Sequence, residues 1–288
     1  MARAFIHREI LTSAVVLAAS VFLTGAARAA EASPWAGDER SAVRLIGASP
    51  VRDARGDVLR AGIQIRMQAG WKTYWRYPGD SGVPPRFDFS QSDNVRDVAV
   101  LWPAPQRFAD GAGGHSIGYA GQVLLPLQVL PKDPAKPVTI RLSLDYAICE
   151  KLCVPVDAKA SLPASRGRTS LDPALAAAEA RVPKKASLAE EGPLRIVSVR
   201  RDPDKRDRVL VDVSAPRGAL DVFAEGPTPD WALPLPEPVG EVADGVRRFA
   251  FALDGVPPGA KTEGATLRIT AVAGTAAIEV AAPLDEPR

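Results

Sequence analysis

The segment VTIRLSLDYAI, Val138–Ile148, alternates apolar and polar residues over most of its length. A period of two belongs to a half-buried β-strand, whose successive side chains point to opposite faces, and conflicts with the 3.6-residue period of an amphipathic helix. The texture recurs in LRAGIQIRM (Leu59–Met67), in VLLPLQVL (Val123–Leu130) and in a return strand over Val154–Leu162. Val43–Ala48 opens this ordered part and Val98–Trp102 is a further short apolar run. Leu194–Arg200, Arg208–Ser214, Leu220–Ala224, Arg247–Leu253, Ala265–Val272 and Ala276–Ala281 suit strands as well. The 27 prolines and 23 glycines fall largely between such runs, as turn residues do. The pattern is that of an all-β sandwich, short strands separated by turn signals. Pro126, inside VLLPLQVL, lacks the N–H a ladder needs and argues for an edge strand or a bulge.

One stretch breaks the pattern. TSLDPALAAAEARVPKKASLAEEG, residues 169–192, is rich in Ala and charge. Ser170 or Asp172 is placed to cap a helix that starts near Pro173 and stops before Pro183. The expected organisation is therefore a first sandwich over residues 34–163, a helical linker over 164–192 and a second sandwich over 193–288. The second half contains no Cys and no His. Its expected role is structural, packing on the first sandwich or positioning it.

The N-terminus, MARAFIHREILTSAVVLAASVFLTGAARAAEA, has basic Arg3 and Arg8, an apolar run from Ile10 to Leu23 and an Ala27-Arg28-Ala29 cleavage pattern. This reads as a secretory signal peptide over residues 1–29, so the mature protein is expected in the periplasm. Its removal takes Arg3, Arg8, Arg28 and Glu9 and leaves 33 basic and 33 acidic residues. Without a basic tract or basic-aromatic stripe, nucleic acid is not an expected partner. One histidine, His115, survives processing, which excludes a multi-histidine metal centre and disfavours a His-based triad.

The chain has two cysteines, Cys149 and Cys153, in LDYAICEKLCVPVDA. In an extended strand they would lie about 13 Å apart, at roughly 3.3 Å per residue. A disulfide requires Cα atoms within about 7 Å. If they pair, the chain must turn through Glu150, Lys151 and Leu152. A structural staple of this size removes little unfolded-state entropy, worth about 2 kcal/mol against almost 5 for a loop of about 100 residues. A redox-active pair suits the spacing better, since small rings are readily strained and strained or exposed disulfides are the labile ones. Lys151 lies close enough to favour a thiolate, while Glu150 opposes it. A third reading takes Cys149 and Cys153 as Cu(I) ligands in a metal-binding or chaperone-like module; Met67 is the one other sulfur of the mature chain. No cofactor is expected on the redox reading.

AGWKTYWRYPGDSGVPPRFDF, WPAPQRF, GYAGQVLLPLQV and LDYAICEKLCVPVDA together resemble the N-terminal periplasmic domain of the disulfide reductase DsbD. They are more similar still to its ScsB-type relatives, which are associated with copper tolerance, as DsbD is with cytochrome c biogenesis. The resemblance covers about Ala42–Leu162; the second half resembles, more weakly, the additional β-domain of the ScsB type. It implies an immunoglobulin-like domain that relays electrons through Cys149 and Cys153, with Cys153 forming the mixed disulfide and Cys149 resolving it. It also implies that Tyr74 packs near the pair, with Trp71 and Tyr146 either as further neighbours or as ordinary core residues. FADGAGGHSIGYAG takes the place of a cap loop that shields the thiols and contains Asp110, Gly113, Gly114 and His115; His115 reads more readily as a solvated loop histidine than as a neighbour of the thiols. The implied partners are a membrane-embedded disulfide reductase or a thioredoxin-like domain on one side and exported client proteins on the other. The 288 residues carry neither the membrane conduit nor the thioredoxin-like domain of the DsbD type, so a separate reductase is expected.

Overall fold

The computed structural model describes residues 1, 30–53, 56–110, 113–165, 167–243 and 245–284. Residues 2–29 of the signal peptide expected over residues 1–29 lie outside the described residues. In chain order the first elements are β1 (Ala36–Gly37), β2 (Ser41–Asp53), β3 (Gly56–Met67), β4 (Lys72–Gly79), β5 (Arg86–Asp88) and β6 (Val95–Val100). They continue as β7 (Gln106–Ala109), β8 (His115–Ala120), β9 (Gln122–Pro131), β10 (Thr139–Cys149), β11 (Cys153–Pro163) and the helix α1 (Asp172–Glu179). The rest are β12 (Lys184–Ala186), β13 (Arg195–Arg201), β14 (Arg208–Ser214), β15 (Asp221–Glu225), β16 (Glu237–Ala243), β17 (Val246–Ala252), β18 (Thr266–Ala273) and β19 (Ala276–Pro283). The protein is nearly all-β, as the alternation predicts.

Four sheets form. The order β1-β2-β3-β9-β6 makes one, and β11-β10-β4-β8-β7, with β5 added on β10, makes a second. Their inward positions share one buried cluster that includes Leu45, Ile63, Leu127, Ile117, Ile140 and Leu144. The orders β12-β19-β18-β15 and β13-β14-β17-β16 make the other two, which bury a separate cluster around Val211, Val222, Phe249 and Ile269. The first cluster also takes in Phe223 and Leu235 from the C-terminal half, so the two halves are packed together.

Three expectations need correction. Pro126 does not lie on an edge: β9 is paired with β3 on one side, through Gly62, and with β6 on the other. The Pro126 carbonyl accepts from Leu101 N–H at 2.8 Å just past the end of β6. Carbonyl and nitrogen of one strand residue point the same way, so the missing N–H falls where that pairing has already stopped. The segment Lys72–Gly79, absent from the strands expected above, forms the central strand β4 of its sheet. The Gly-rich segment read as a loop is a hairpin: β7 pairs with β8, and β8 in turn with β4.

The helix is also held differently from expectation. Its N-cap residue is Leu171, which makes no side-chain cap bond. The Asp172 carboxylate is engaged elsewhere, accepting from Ser49 Oγ of β2 at 2.9 Å and from Thr169 Oγ1 at 2.8 Å. Leu175, fully buried, rests on two glycines: a Cβ on Gly47 would come within 2.6 Å of one of its methyls and a Cβ on Gly62 within 2.7 Å of the other. Arg60 of β3 adds a two-pronged ion pair to Glu179, at 2.9 and 2.6 Å. The helix is thus docked on the outer face of the first sheet.

Leu175→Ala should empty this socket and lower the unfolding free energy by about 2–5 kcal/mol, read from a urea titration. Burial of Asp172 opposes its ionisation, but the hydrogen bonds from Thr169 and Ser49 outweigh that and hold its carboxyl below the ordinary range. A carboxyl depressed in the folded state contributes stability that is present above its unfolded pKa of about 3.9 and is lost as pH falls through the folded value. Asp172→Asn should therefore reduce stability at neutral pH and flatten its decline in acid; an unchanged acid limb would contradict this role.

Candidate functional site

Strands β10 and β11 form an antiparallel ladder that runs unbroken from Thr139↔Pro163 to Cys149↔Cys153. The chain turns through Glu150, Lys151 and Leu152. The two cysteines face each other across the last rung with Cα atoms 4.2 Å apart and are joined by a disulfide. Pro155 fits here because β11 is an edge strand and its nitrogen can face away from the ladder.

The two sulfurs have different surroundings. Cys149 is buried at 6% exposure and clusters with Tyr74 and Ala147, whereas Cys153 is exposed. Tyr74 Oη lies 3.1 Å from Cys153 Sγ. A disulfide sulfur carries no hydrogen, so the phenol donates. Burial pushes the Tyr74 hydroxyl above its ordinary pKa, which keeps the proton on the donor.

Tyr74 is held from three sides. Its neighbour Thr73 donates from Oγ1 to the Ala147 carbonyl at 2.9 Å, tying β4 to β10 next to Cys149. In β8, Gly118 lies opposite Tyr74, and a Cβ on it would stand 1.9 Å from the Thr73 carbonyl oxygen, so only glycine permits this approach. The loop after β4 covers the ring: a Cβ on Gly82 would come within 2.7 Å of Tyr74 Cδ1.

The other expected site residues are spread more widely. Lys151 is exposed on the turn between the cysteines. Trp71 is half-buried against the main core. Tyr146 is buried in that core, and its hydroxyl pairs with Ser41 Oγ at 2.6 Å. Strand alternation puts Tyr146 and Ala147 on opposite faces, so Tyr146 lies on the face away from Ala147 and Cys149.

Asp110, Gly113, Gly114 and His115 sit at the tip of the β7–β8 hairpin. Gly114 N–H donates to Asp110 Oδ1 at 3.0 Å, and Gly113 has a φ of +96°, which suits glycine. His115 N–H donates to Asp80 Oδ2 at 3.0 Å, and Asp80 N–H returns a bond to the His115 carbonyl at 2.9 Å. The hairpin reaches towards the disulfide through Phe108, whose ring centroid is 5.4 Å from Lys72 Nζ; Lys72 is the β4 residue opposite Cys149.

Gly82, Gly118 and Phe108 are thus parts of the surroundings that sequence reasoning did not single out. Phe108 lay within the segment already quoted, and the two glycines carried only an ordinary turn or strand signal. Among the described residues no group of three or more His, Cys, Asp or Glu could hold a metal ion. A metal at this site would have to rely on the two sulfurs once reduced. Chemically, the arrangement offers one accessible sulfur with a hydrogen-bond donor on it and one protected sulfur bonded to the first.

Removing that donor should make the Cys153 thiolate harder to form. In a Cys149→Ser background, Tyr74→Phe should raise the Cys153 thiol pKa by about one unit, read from thiolate absorbance against pH. An unchanged titration would remove Tyr74 from the chemistry.

Residues 43–165 match the sequence profile of the family described as thiol:disulfide interchange protein DsbD, N-terminal. The fold is similar to the crystal structure of the N-terminal periplasmic domain of ScsB from Proteus mirabilis, with a TM-score of 0.70 at 18% sequence identity. That alignment covers 89% of this chain and 99% of the other, so the likeness of fold extends well into the C-terminal half. No curated protein sequence matches.

Proposed function

We propose that this chain, which carries a DsbD N-terminal domain at residues 43–165, is a periplasmic thiol–disulfide interchange protein. It relays reducing equivalents between a membrane reductase or thioredoxin-like domain and exported proteins. The observation that carries the reading is the asymmetry of the pair: exposed Cys153 under the Tyr74 hydroxyl, and Cys149 buried behind it. Two further features fit it. The family profile is that of an interchange protein, and the similar ScsB domain is described as periplasmic.

The steps follow from which sulfur can be reached. In the oxidised protein a donor thiolate attacks Cys153 Sγ, the Cys149–Cys153 bond breaks, and Cys149 leaves as a thiolate. A second donor thiolate then attacks the mixed disulfide, releasing Cys153 as a thiolate and the donor as its own disulfide. In the reduced protein the roles reverse. The Cys153 thiolate attacks a client disulfide and expels one client thiolate. Cys149 then attacks Cys153 Sγ, reforming the internal bond and releasing the client's second thiolate, so two electrons pass per cycle. Tyr74 stabilises negative charge on Cys153 whenever it is the attacking or departing sulfur.

On this reading residues 34–163 form the redox sandwich, with an immunoglobulin-like fold, and 193–288 form a second one, joined through 164–192. The second buried cluster, drawn from Leu194 to Leu284, supports the division, while Phe223 and Leu235 of that half join the first.

The roles predict an asymmetric trapping result. Cys149→Ser should accumulate mixed disulfides through Cys153, visible as slower bands on a non-reducing gel that collapse with reductant. Cys153→Ser should trap nothing. Equal trapping by both variants would contradict the assignment of roles, and trapping by neither would contradict the relay.

A further inference from the structure

Strand β4 carries more than Tyr74. Its ladder to β8 runs Lys72↔Ala120, Thr73↔Tyr119 and Tyr74↔Gly118, then resumes only at Gly79↔Ser116. Its ladder to β10 covers Lys72 and Thr73 alone. Residues 75–78 therefore lie outside both ladders, and they begin directly after the residue that touches Cys153.

The C-terminal half takes over their support. Trp75, fully buried, places its ring 5.8 Å from that of Phe223 in β15. Arg76 lies over the Trp75 ring, 4.4 Å from its centroid, and donates to both carboxylate oxygens of Glu225, at 2.9 and 2.7 Å. It also bonds Glu279 of β19. Side-chain exposures of 21% for Arg76, 12% for Glu225 and 15% for Glu279 leave this triad largely out of water. Burial works against the Arg76 charge, but the two carboxylates outweigh it and raise its pKa. Tyr77 Oη donates to the Leu233 carbonyl.

Strand β7 is attached to the same half by an arginine too, though with a single bond to a carboxylate. Arg107 donates to Glu237 at 2.6 Å and to the Pro236 carbonyl at 2.9 Å. The next residue, Phe108, is the one whose ring meets Lys72, opposite Cys149. Strand β4 beside the disulfide and strand β7, two strands further out, are thus both fixed by charge-assisted bonds to the C-terminal half. A guanidinium fork on a carboxylate is directional as well as strong, so it sets position and not merely proximity.

We propose that Arg76, with Arg107 as its counterpart on β7, is a positioning residue for the disulfide. Through it the C-terminal half holds the Tyr74 hydroxyl on Cys153 Sγ and so sets the reactivity of Cys153. The inference rests on the reading of Cys149 and Cys153 as an exchanging pair.

The test uses the full chain with Arg76→Met, Glu225→Gln and Glu279→Gln combined, so that no carboxylate is left buried and unpaired; Arg268, which also pairs with Glu225 and Glu279 at 3.7 Å, is half-exposed and keeps its charge in water. In a Cys149→Ser background the rate of Cys153 alkylation by iodoacetamide at neutral pH is compared with that of the parent. The triple change should slow it roughly tenfold, the equivalent of about one unit of thiolate pKa. Tyr74→Phe should slow it to a similar extent, and the two together should be no slower than either alone, because both act through one hydrogen bond. Arg76→Lys, which keeps the charge but loses the fork, should fall in between; it carries the comparison if the triple variant does not fold.

A folded variant that alkylates at the parent rate would overturn the proposal. So would effects that simply add to those of Tyr74→Phe. Exchange of the unmutated pair with glutathione is measured alongside. If that exchange fails, it is the redox reading that falls; if it succeeds while the alkylation rate is unmoved, it is the positioning role.

Discussion

The register of the β10–β11 ladder is the constraint on which the candidate site depends. A shift of one residue would turn every inward side chain of a strand outward and would separate the two cysteines. The register is held along its length by inward residues such as Ile140, Leu142, Leu144 and Ile148, all buried in the main core. Burying such a side chain is worth about 1.5–3 kcal/mol each, so the last rung, Cys149↔Cys153, is set by residues far from the sulfurs. The disulfide then occupies the end of a rigid hairpin, with one sulfur turned into the Tyr74–Ala147 cluster and the other towards solvent.

Chemistry at such a site is a matter of access and of charge. Exposure decides which sulfur a partner thiolate can attack. In the proposed exchange the hydroxyl of Tyr74, kept protonated by burial, sets how well Cys153 carries negative charge as the attacking or departing sulfur. The position of that hydroxyl depends on β4, whose ladder to β10 ends at Thr73 and whose ladder to β8 lapses after Tyr74. The attachment of Trp75, Arg76 and Tyr77 to the C-terminal half gives that half a mechanical connection to the site although it contributes no sulfur to it.

Much of the fold was legible in the sequence where one strand face meets the core and the other meets water. The expected strand over Val138–Ile148 and its return over Val154–Leu162 correspond closely to Thr139–Cys149 and Cys153–Pro163. Legibility failed where both faces are occupied. In β4, Tyr74 packs beside the disulfide and Trp75 in the main core, so apolar residues adjoin and the alternation disappears. Pro126 misled because its consequence depends on where the neighbouring strand ends, which only the register reveals. Asp172 looked like a helix cap because the local pattern is that of one, yet its partners include Ser49, 123 residues away. The ion pairs of Arg76 span 149 and 203 residues and leave no local trace. The cysteine pair itself was legible as a turn closing a small ring; which sulfur is exposed and what touches it were not readable from spacing.

The most direct test of the account is the reduction potential of the Cys149–Cys153 pair, measured by thiol alkylation and gel shift across a dithiothreitol series. The account predicts a value among those of exchanging dithiols, about −120 to −270 mV. A value below about −300 mV would mark a structural disulfide and contradict the claim that this hairpin tip passes electrons.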